Sequence, residues 1–337
     1  MPWGLLILLA AGLLLGWLLL VLFTCWILTH PPRRSYAHAV ARNLPGDPSE
    51  ITVTLAGGST QRGLPFTQWS FVARDAMLPV WDVQGLSPTG PTIIITHGWG
   101  DSRVMMLPRL AALAPLASRI ILWDLPAHGD APTGSFTLGA EETRDLLALF
   151  AHITETPGAS PVARIILYGF SLGAGLSIHA AHAMSQTKIK NQTAPAAMLA
   201  VIAESPYRFP ITPARNVLRM RALPFRTNIA PALALLRARF GLWFRDKNFD
   251  RAAMPLDAPL LLLHGEHDPI CPLQDSRDIA AARNAPLAII PGGGHNNLWT
   301  DPALAPYSLA AVQAFLASLS PTLPLPHSAP QTTPITP

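Results

Sequence analysis

Short apolar runs without polar alternation recur through the middle of the chain, at residues 92–96, 119–123, 164–168, 198–203 and 260–263. Such a run predicts a strand covered on both faces, as in a parallel sheet. The segments between them predict helices over 138–153, 172–185, 274–284 and 304–319, with a further strand at 287–290. Ser102 is placed to cap a helix that runs to about Leu116 and is broken or kinked at Pro108. Earlier strands are expected at 51–55 and between Trp69 and Trp81. Alternation of this length predicts an α/β fold, a mostly parallel central sheet with helices on both faces. Right-handed crossovers then bring the C-terminal end of every strand, with the loop that follows, to one edge.

Two segments depart from the alternation. Residues 206–255 hold no clear strand, are rich in arginine, leucine and proline, and predict a helix at 229–244; they read as a short inserted cap. At the other extreme, Leu5 to Leu28 carries no charge over 24 residues. As a helix it is about 36 Å long, enough to cross a bilayer core of about 30 Å. Trp3 and Trp26 lie near its ends, where indole rings favour the interface. The alternative is a cleaved signal peptide, with Ala37-His38-Ala39 as its small-residue site. Its apolar run exceeds the usual core of roughly 7–15 residues and no basic segment precedes it, so an uncleaved single-pass anchor is expected. Arg33, Arg34 and Arg42 follow the span, which places the bulk of the chain on the cytoplasmic side. The expected organisation is an anchor at 1–30, a proline-rich linker at 31–65, a main domain at 66–320 and a disordered proline-rich tail at 321–337.

A chain of 337 residues, half of them hydrophobic, suits one large domain with extensions. The net charge of +4 is unevenly spread: residues 205–251 carry ten basic residues against Asp246 and Asp250. A basic cap beside a membrane span suits an anionic lipid surface. No nucleic-acid partner is expected, because no binding module is recognisable. Cys25 and Cys271 make neither a disulfide framework nor a zinc spacing, and no metal is expected. Oligomeric state is left open by these features.

The chemistry centres on Gly169-Phe170-Ser171-Leu172-Gly173, between a strand and a helix. A turn this tight strains the serine backbone and projects its hydroxyl above the sheet edge, and glycine on either side avoids collisions. Two later strand ends supply the partners. Asp268 follows the strand at 260–263, and His295 follows the strand at 287–290 in Gly292-Gly293-Gly294-His295. An imidazole with a pKa near 6.5 can take the serine proton, and a carboxylate on its other nitrogen fixes the tautomer. Glu266 and Glu204 are alternative acids. An oxyanion needs two backbone donors: Leu172, at the helix start, and Trp99 in His97-Gly98-Trp99-Gly100.

These motifs, with Asp124-Leu125-Pro126-Ala127-His128-Gly129 and His264-Gly265-Glu266-His267-Asp268, resemble the serine branch of the α/β-hydrolase superfamily over about residues 66–320. The nearest resemblance is to membrane-anchored α/β-hydrolase-domain proteins and to serine aminopeptidase-like or lysophospholipase-like members. It implies a hydrolase of an acyl ester, thioester or amide without metal or cofactor, acting on a small-molecule or lipid substrate. A non-catalytic scaffold that binds lipid or a protein through its basic cap is the rival reading. Pro126-Ala127 stand where relatives often carry Arg-Gly, and the arginine-rich cap carries over no relative's substrate. Among the other histidines, His97 is expected to support the oxyanion loop, His264 and His267 to brace the acid turn, His128 to close a turn, and His179 and His182 to pack. Cys271, with no local base in sequence, is read as a passive thiol.

Overall fold

In the computed structural model, the apolar runs form the centre of an eight-stranded sheet. Residues 2–319 are described, apart from 56, 75, 135, 140, 156–163, 191–197 and 241–248. The chain opens with α1 (Pro2–Thr29) and α2 (Tyr36–Val40), then a two-stranded hairpin of β1 (Thr52–Thr54) and β2 (Thr60–Arg62). Next come β3 (Phe66–Ala73), β4 (Ala76–Gln84), β5 (Thr92–Thr96), α3 (Leu107–Leu113), β6 (Arg119–Trp123) and α4 (Glu142–Glu155). The second half holds β7 (Arg164–Phe170), α5 (Leu172–Lys190), β8 (Met198–Glu204), α6 (Ile211–Met220) and α7 (Ile229–Phe240). It closes with β9 (Leu260–Gly265), α8 (Leu273–Arg283), β10 (Leu287–Ile290) and α9 (Ala305–Leu319).

The sheet order is β10-β9-β8-β7-β5-β6-β4-β3, parallel from β10 to β6, with β4 antiparallel to both β6 and β3. The central strands are covered on both faces, which is why they are apolar at consecutive positions, whereas the edge strand β3 is partly exposed. Ile93, Ile95, Ile120 and Leu122 face α3 and α9. Ile94, Ile121, Ile165 and Leu167 face α4 and α5. The chain leaves β5 for β6 on one side and returns to β7 on the other. Loops after β5 and β7 therefore diverge from a switch point, where α/β sheets open a crevice.

Several elements differ from the sequence expectation for visible reasons. Pro108 begins α3 rather than breaking a helix, because its missing N–H is harmless in a first turn. Ser102 caps nothing; its hydroxyl donates to the Arg34 carbonyl. The α4 helix starts at Glu142 rather than 138, because Leu138 and Gly139 take positive φ (59° and 101°) and the Glu142 carboxylate gathers the Thr137 and Gly139 N–H groups. Residues 31–65, expected as a linker, bury Ala39, Ile51, Val53 and Leu64 in the core. The last part of the helix expected at 229–244 and the proline-rich tail lie outside the described residues.

Between β8 and β9, α6 and α7 form the cap over the strand ends. Its base is held by Arg208, whose guanidinium bonds Asp250 at 2.8 Å and Asp278 at 3.1 Å. The Asn216 amide donates to the Ile270 carbonyl at 2.8 Å and ties α6 to the loop after β9. Leu218, Ile229, Leu233 and Leu236 of the cap pack against Ile27 and Leu28 of α1.

Candidate active site

Ser171 occupies the turn from β7 into α5 with φ 53°, a left-handed conformation for a non-glycine residue. The N–H of Ser171 donates to the Glu204 carbonyl at 2.8 Å, and its own carbonyl accepts from Gly175, so the strained turn is held from both sides. A side chain at 169 would meet the Gly173 carbonyl at 2.2 Å, and one at 173 the Thr96 carbonyl at 2.0 Å; only glycine lets the strand and helix approach this closely.

The three residues expected from separate strand ends meet here. His295 Nε2 lies 3.0 Å from Ser171 Oγ, and His295 Nδ1 lies 2.7 Å from Asp268 Oδ2. With Nδ1–H donating to the carboxylate, Nε2 is free to accept the serine proton. The other oxygen of Asp268 accepts the N–H groups of Ile270 (2.8 Å) and Cys271 (2.9 Å). Burial alone would raise the Asp268 carboxyl, but the His295 hydrogen bond and charge, with the Cys271 N–H, hold it below its ordinary value. It is an anion on which an imidazolium can rest.

The alternative acids are placed elsewhere. Glu204, at the end of β8, is fully buried and engaged by Arg109 (2.6 and 2.7 Å), the Tyr168 hydroxyl (2.5 Å) and the Trp299 indole (3.2 Å). Glu266 is exposed and accepts from Gly292. Among the histidines, His97 receives the Leu125 N–H on Nε2 and contacts the Gly98 carbonyl through Nδ1, and burial lowers it to about 4. It is a neutral brace beneath the oxyanion loop. His264 bridges Ser276 and the Cys271 carbonyl and stabilises the acid turn. The His267 side chain is exposed, and only its N–H reaches the His295 loop, at Gly293. His179 contacts Thr143 and His182 contacts the Pro255 carbonyl.

Leu172 N–H opens α5 beside Ser171, and Trp99 follows β5 across the switch point. Among the described residues, neither N–H has a protein acceptor, as a site for a developing oxyanion requires. A cavity of about 310 Å³ opens above them. Ser171 and His295 floor it, Trp99, Phe136 and Leu138 wall it, and Val217 and Met220 of α6 cover it.

Sequence reasoning missed two things. Cys271 is not remote from a base: its sulfur, an Asp268 oxygen and a His295 nitrogen all lie within 4.8 Å of one another. Burial pushes the thiol well above its ordinary value, and the Asp268–His295 hydrogen bond already uses the two other donors, so the trio does not suit a metal. Leu28, Pro32 and Arg34 also line the cavity, brought there by the end of α1. No local pattern marks them, because their partners lie about 70 to 200 positions away.

A family profile described as "Alpha/beta hydrolase family" matches residues 93–306. The chain belongs to the alpha/beta hydrolase family. None of the curated proteins matches the sequence. Among solved structures, an esterase of Pyrococcus furiosus is similar at 19% identity and a TM-score of 0.56, covering 76% of this chain and 91% of that one. Mouse alpha/beta hydrolase domain-containing protein 10 is similar at 20% identity and a TM-score of 0.50, covering 77% of this chain and all of that one. An acylaminoacyl peptidase of Pyrococcus horikoshii, at 17% identity and a TM-score of 0.53, is covered over 41% of its length, against 76% of this chain. At these identities the likeness shows the alpha/beta hydrolase fold alone.

Proposed function

We propose that this alpha/beta hydrolase cleaves an acyl ester through a covalent acyl-enzyme, with Ser171 as nucleophile, His295 as general base and Asp268 as the carboxylate that orients it. The carrying observation is the unbroken chain from Ser171 Oγ to His295 Nε2 (3.0 Å) and from His295 Nδ1 to Asp268 (2.7 Å), beneath a largely apolar cavity. Ser171 Oγ adds to the ester carbonyl carbon as its proton passes to His295 Nε2. The carbonyl oxygen becomes an oxyanion, held by the N–H groups of Leu172 and Trp99. Collapse breaks the bond to the alcohol, which leaves with the proton from His295. Water then adds to the acyl-enzyme, again deprotonated by His295, and releases the carboxylic acid and Ser171. Each oxyanion donor supplies about 10²–10³ in rate.

The same reading takes α1 as a single-pass membrane anchor with the hydrolase domain on the cytoplasmic side. It is supported by a 27-residue uncharged helix, Trp3–Thr29, whose most apolar window is little buried, and by Arg33 and Arg34 just after it. The test is fluorophosphonate labelling of the full-length protein, followed by a panel of short esters, long-chain lysolipids and aminoacyl amides. Wild type is expected to label and to turn over esters, and Ser171→Ala to do neither. A folded wild type that binds liposomes but neither labels nor hydrolyses would instead be a lipid-binding scaffold. Turnover confined to the amides would make it an amidase on the same machinery.

A further inference from the structure

The end of α1 is built into the domain. The Trp99 indole donates to the Leu28 carbonyl at 3.3 Å, and the Phe136 N–H to the Thr29 carbonyl at 2.9 Å. The Asn228 amide donates to Thr24 Oγ1 at 2.6 Å, and Arg33 to the Gly129 and Ala131 carbonyls. Leu28 is 3% exposed and lines the cavity over Ser171, as do Pro32 and Arg34. Cleavage at Ala37-His38-Ala39 would therefore remove a wall of the cavity together with these bonds.

The same packing fixes the depth of the cap. The Trp17 indole donates to the Thr227 carbonyl at 3.2 Å, so the loop between α6 and α7 lies beside the apolar helix well before its end at Thr29. A hydrocarbon core takes about 20 helical residues. Any 20 consecutive residues of Trp3–Thr29 include Trp17. Even with the span set at 3–22, Trp17 is five residues, about 7 Å, inside the edge nearer the cap. That is the depth at which amphipathic segments seat in the interface. On the loop and the helices it joins, Met220 and Leu235 are exposed, and so are Arg219, Arg221, Arg226 and Arg239. Apolar tips among cationic side chains match acyl chains beneath anionic headgroups. Met220 and Arg221 also border the cavity, as Leu28 does.

We propose that the loop at 221–228 is seated in an anionic leaflet, that α1 is retained as a wall of the substrate cavity, and that the substrate is a bilayer-resident acyl lipid entering between Leu28 and Met220. This rests on the ester-hydrolase and anchor readings above and deepens them by naming the substrate class and its route. The lipid slides its chain into the cavity laterally, without first crossing water.

The test uses full-length protein in vesicles of phosphatidylcholine with phosphatidylglycerol. In a Cys25→Ser background, an environment-sensitive fluorophore is attached at Arg226→Cys or, on the opposite edge of the sheet, at Thr89→Cys. The label at 226 is expected to shift to the blue and to be quenched by lipid-borne quenchers at least fivefold more than the label at 89. Equal quenching at both positions overturns the seating, and does so whether or not the protein is an enzyme. A vesicle-borne long-chain lysolipid and a soluble butyrate ester are then compared. Leu28→Trp is expected to slow the lysolipid at least tenfold more than the butyrate, and Leu28→Ala to shift preference towards longer chains. Unchanged chain-length preference in both folded variants overturns the wall assignment. Loss of Ser171 labelling in wild type overturns the hydrolase reading instead, and leaves the depth measurement standing.

Discussion

The sheet edge and the cap above it are built by opposite means. At the edge, Ser171, His295, Asp268, Glu204 and Arg109 sit at or near strand ends, little exposed, each held by hydrogen bonds of 2.5–3.2 Å. In the cap, leucine and isoleucine side chains meet α1 in an apolar cluster while several arginines face outward. Buried hydrogen-bonded groups have few acceptable positions, whereas apolar contacts tolerate shifts. Under the function proposed above, the difference is a division of labour: the edge sets the reaction, and the cap sets what reaches it.

The sharpest test of that division is at the proposed triad. Ser171→Ala and His295→Ala are each expected to lower kcat on a soluble ester by about 10⁶, with the double variant no worse, because groups acting as a unit do not add. Additive losses would mean the edge does not act as one device. Next in size is Arg109→Ala, which leaves the Glu204 carboxylate buried without its cation. It is expected to cost about 3–5 kcal/mol in urea unfolding. The exposed Arg239→Ala should stay within about 0.5 kcal/mol, and similar losses at both sites would break the comparison. Leu233→Ala, in the apolar cluster, should cost about 2–4 kcal/mol, and mostly locally. Hydrogen exchange is expected to speed up in α6, α7 and the end of α1, with the amides of β5 and β7 unchanged.

A further effect is on pH. His97 is lowered to about 4 by burial, so between its ordinary 6.5 and about 4 the unfolded chain binds the proton first and stability falls as pH falls. Asp124 is pushed up to about 6 by burial, so from about 6 to about 4 the folded state binds first and the sign reverses. The two nearly cancel between pH 4 and 6. Apart from that pair, His179, lowered to about 4 by burial and then by Arg251 and His182, contributes a fall towards acid, as do His128 and His264, held below their usual values by burial, while Glu142, Asp145 and Asp275, raised by burial, oppose it. His179→Asn is expected to flatten that fall by about 1 kcal/mol per pH unit between 6.5 and 4, read from urea midpoints at pH 7 and pH 5.

The same contrast governs what could be read from the sequence. The central parallel strands were legible because double-sided burial leaves apolar runs such as 92–96, whereas β3 and β4 were read only as strand somewhere between Trp69 and Trp81; strand ends in a parallel sheet must gather at one edge. That logic brought Ser171, Asp268 and His295 to one place from positions up to 124 apart. It also left Glu204 and Glu266 in contention, because a strand end does not say which carboxylate is already occupied. Only the bonds from Arg109, Tyr168 and Trp299 decide that. The segment 206–255 and the first apolar helix were legible as composition and not as contacts. An apolar helix reads the same whether it stands free or folds its last turns against Leu233 and Asn228, and nothing near Leu28 announces a cavity.

The bond from Asn228 to Thr24 spans 204 positions, the contact of Cys25 with the Ala232 carbonyl 207, and the bond from Trp17 to Thr227 210. α1 is thus made long before the segments its last turns pack against. Its closing turns wait through the synthesis of some two hundred further residues and, on the anchor reading proposed above, do so with its apolar length already in lipid. On that reading, maturation ends in a docking event, in which a finished sheet comes down onto a helix made long before it.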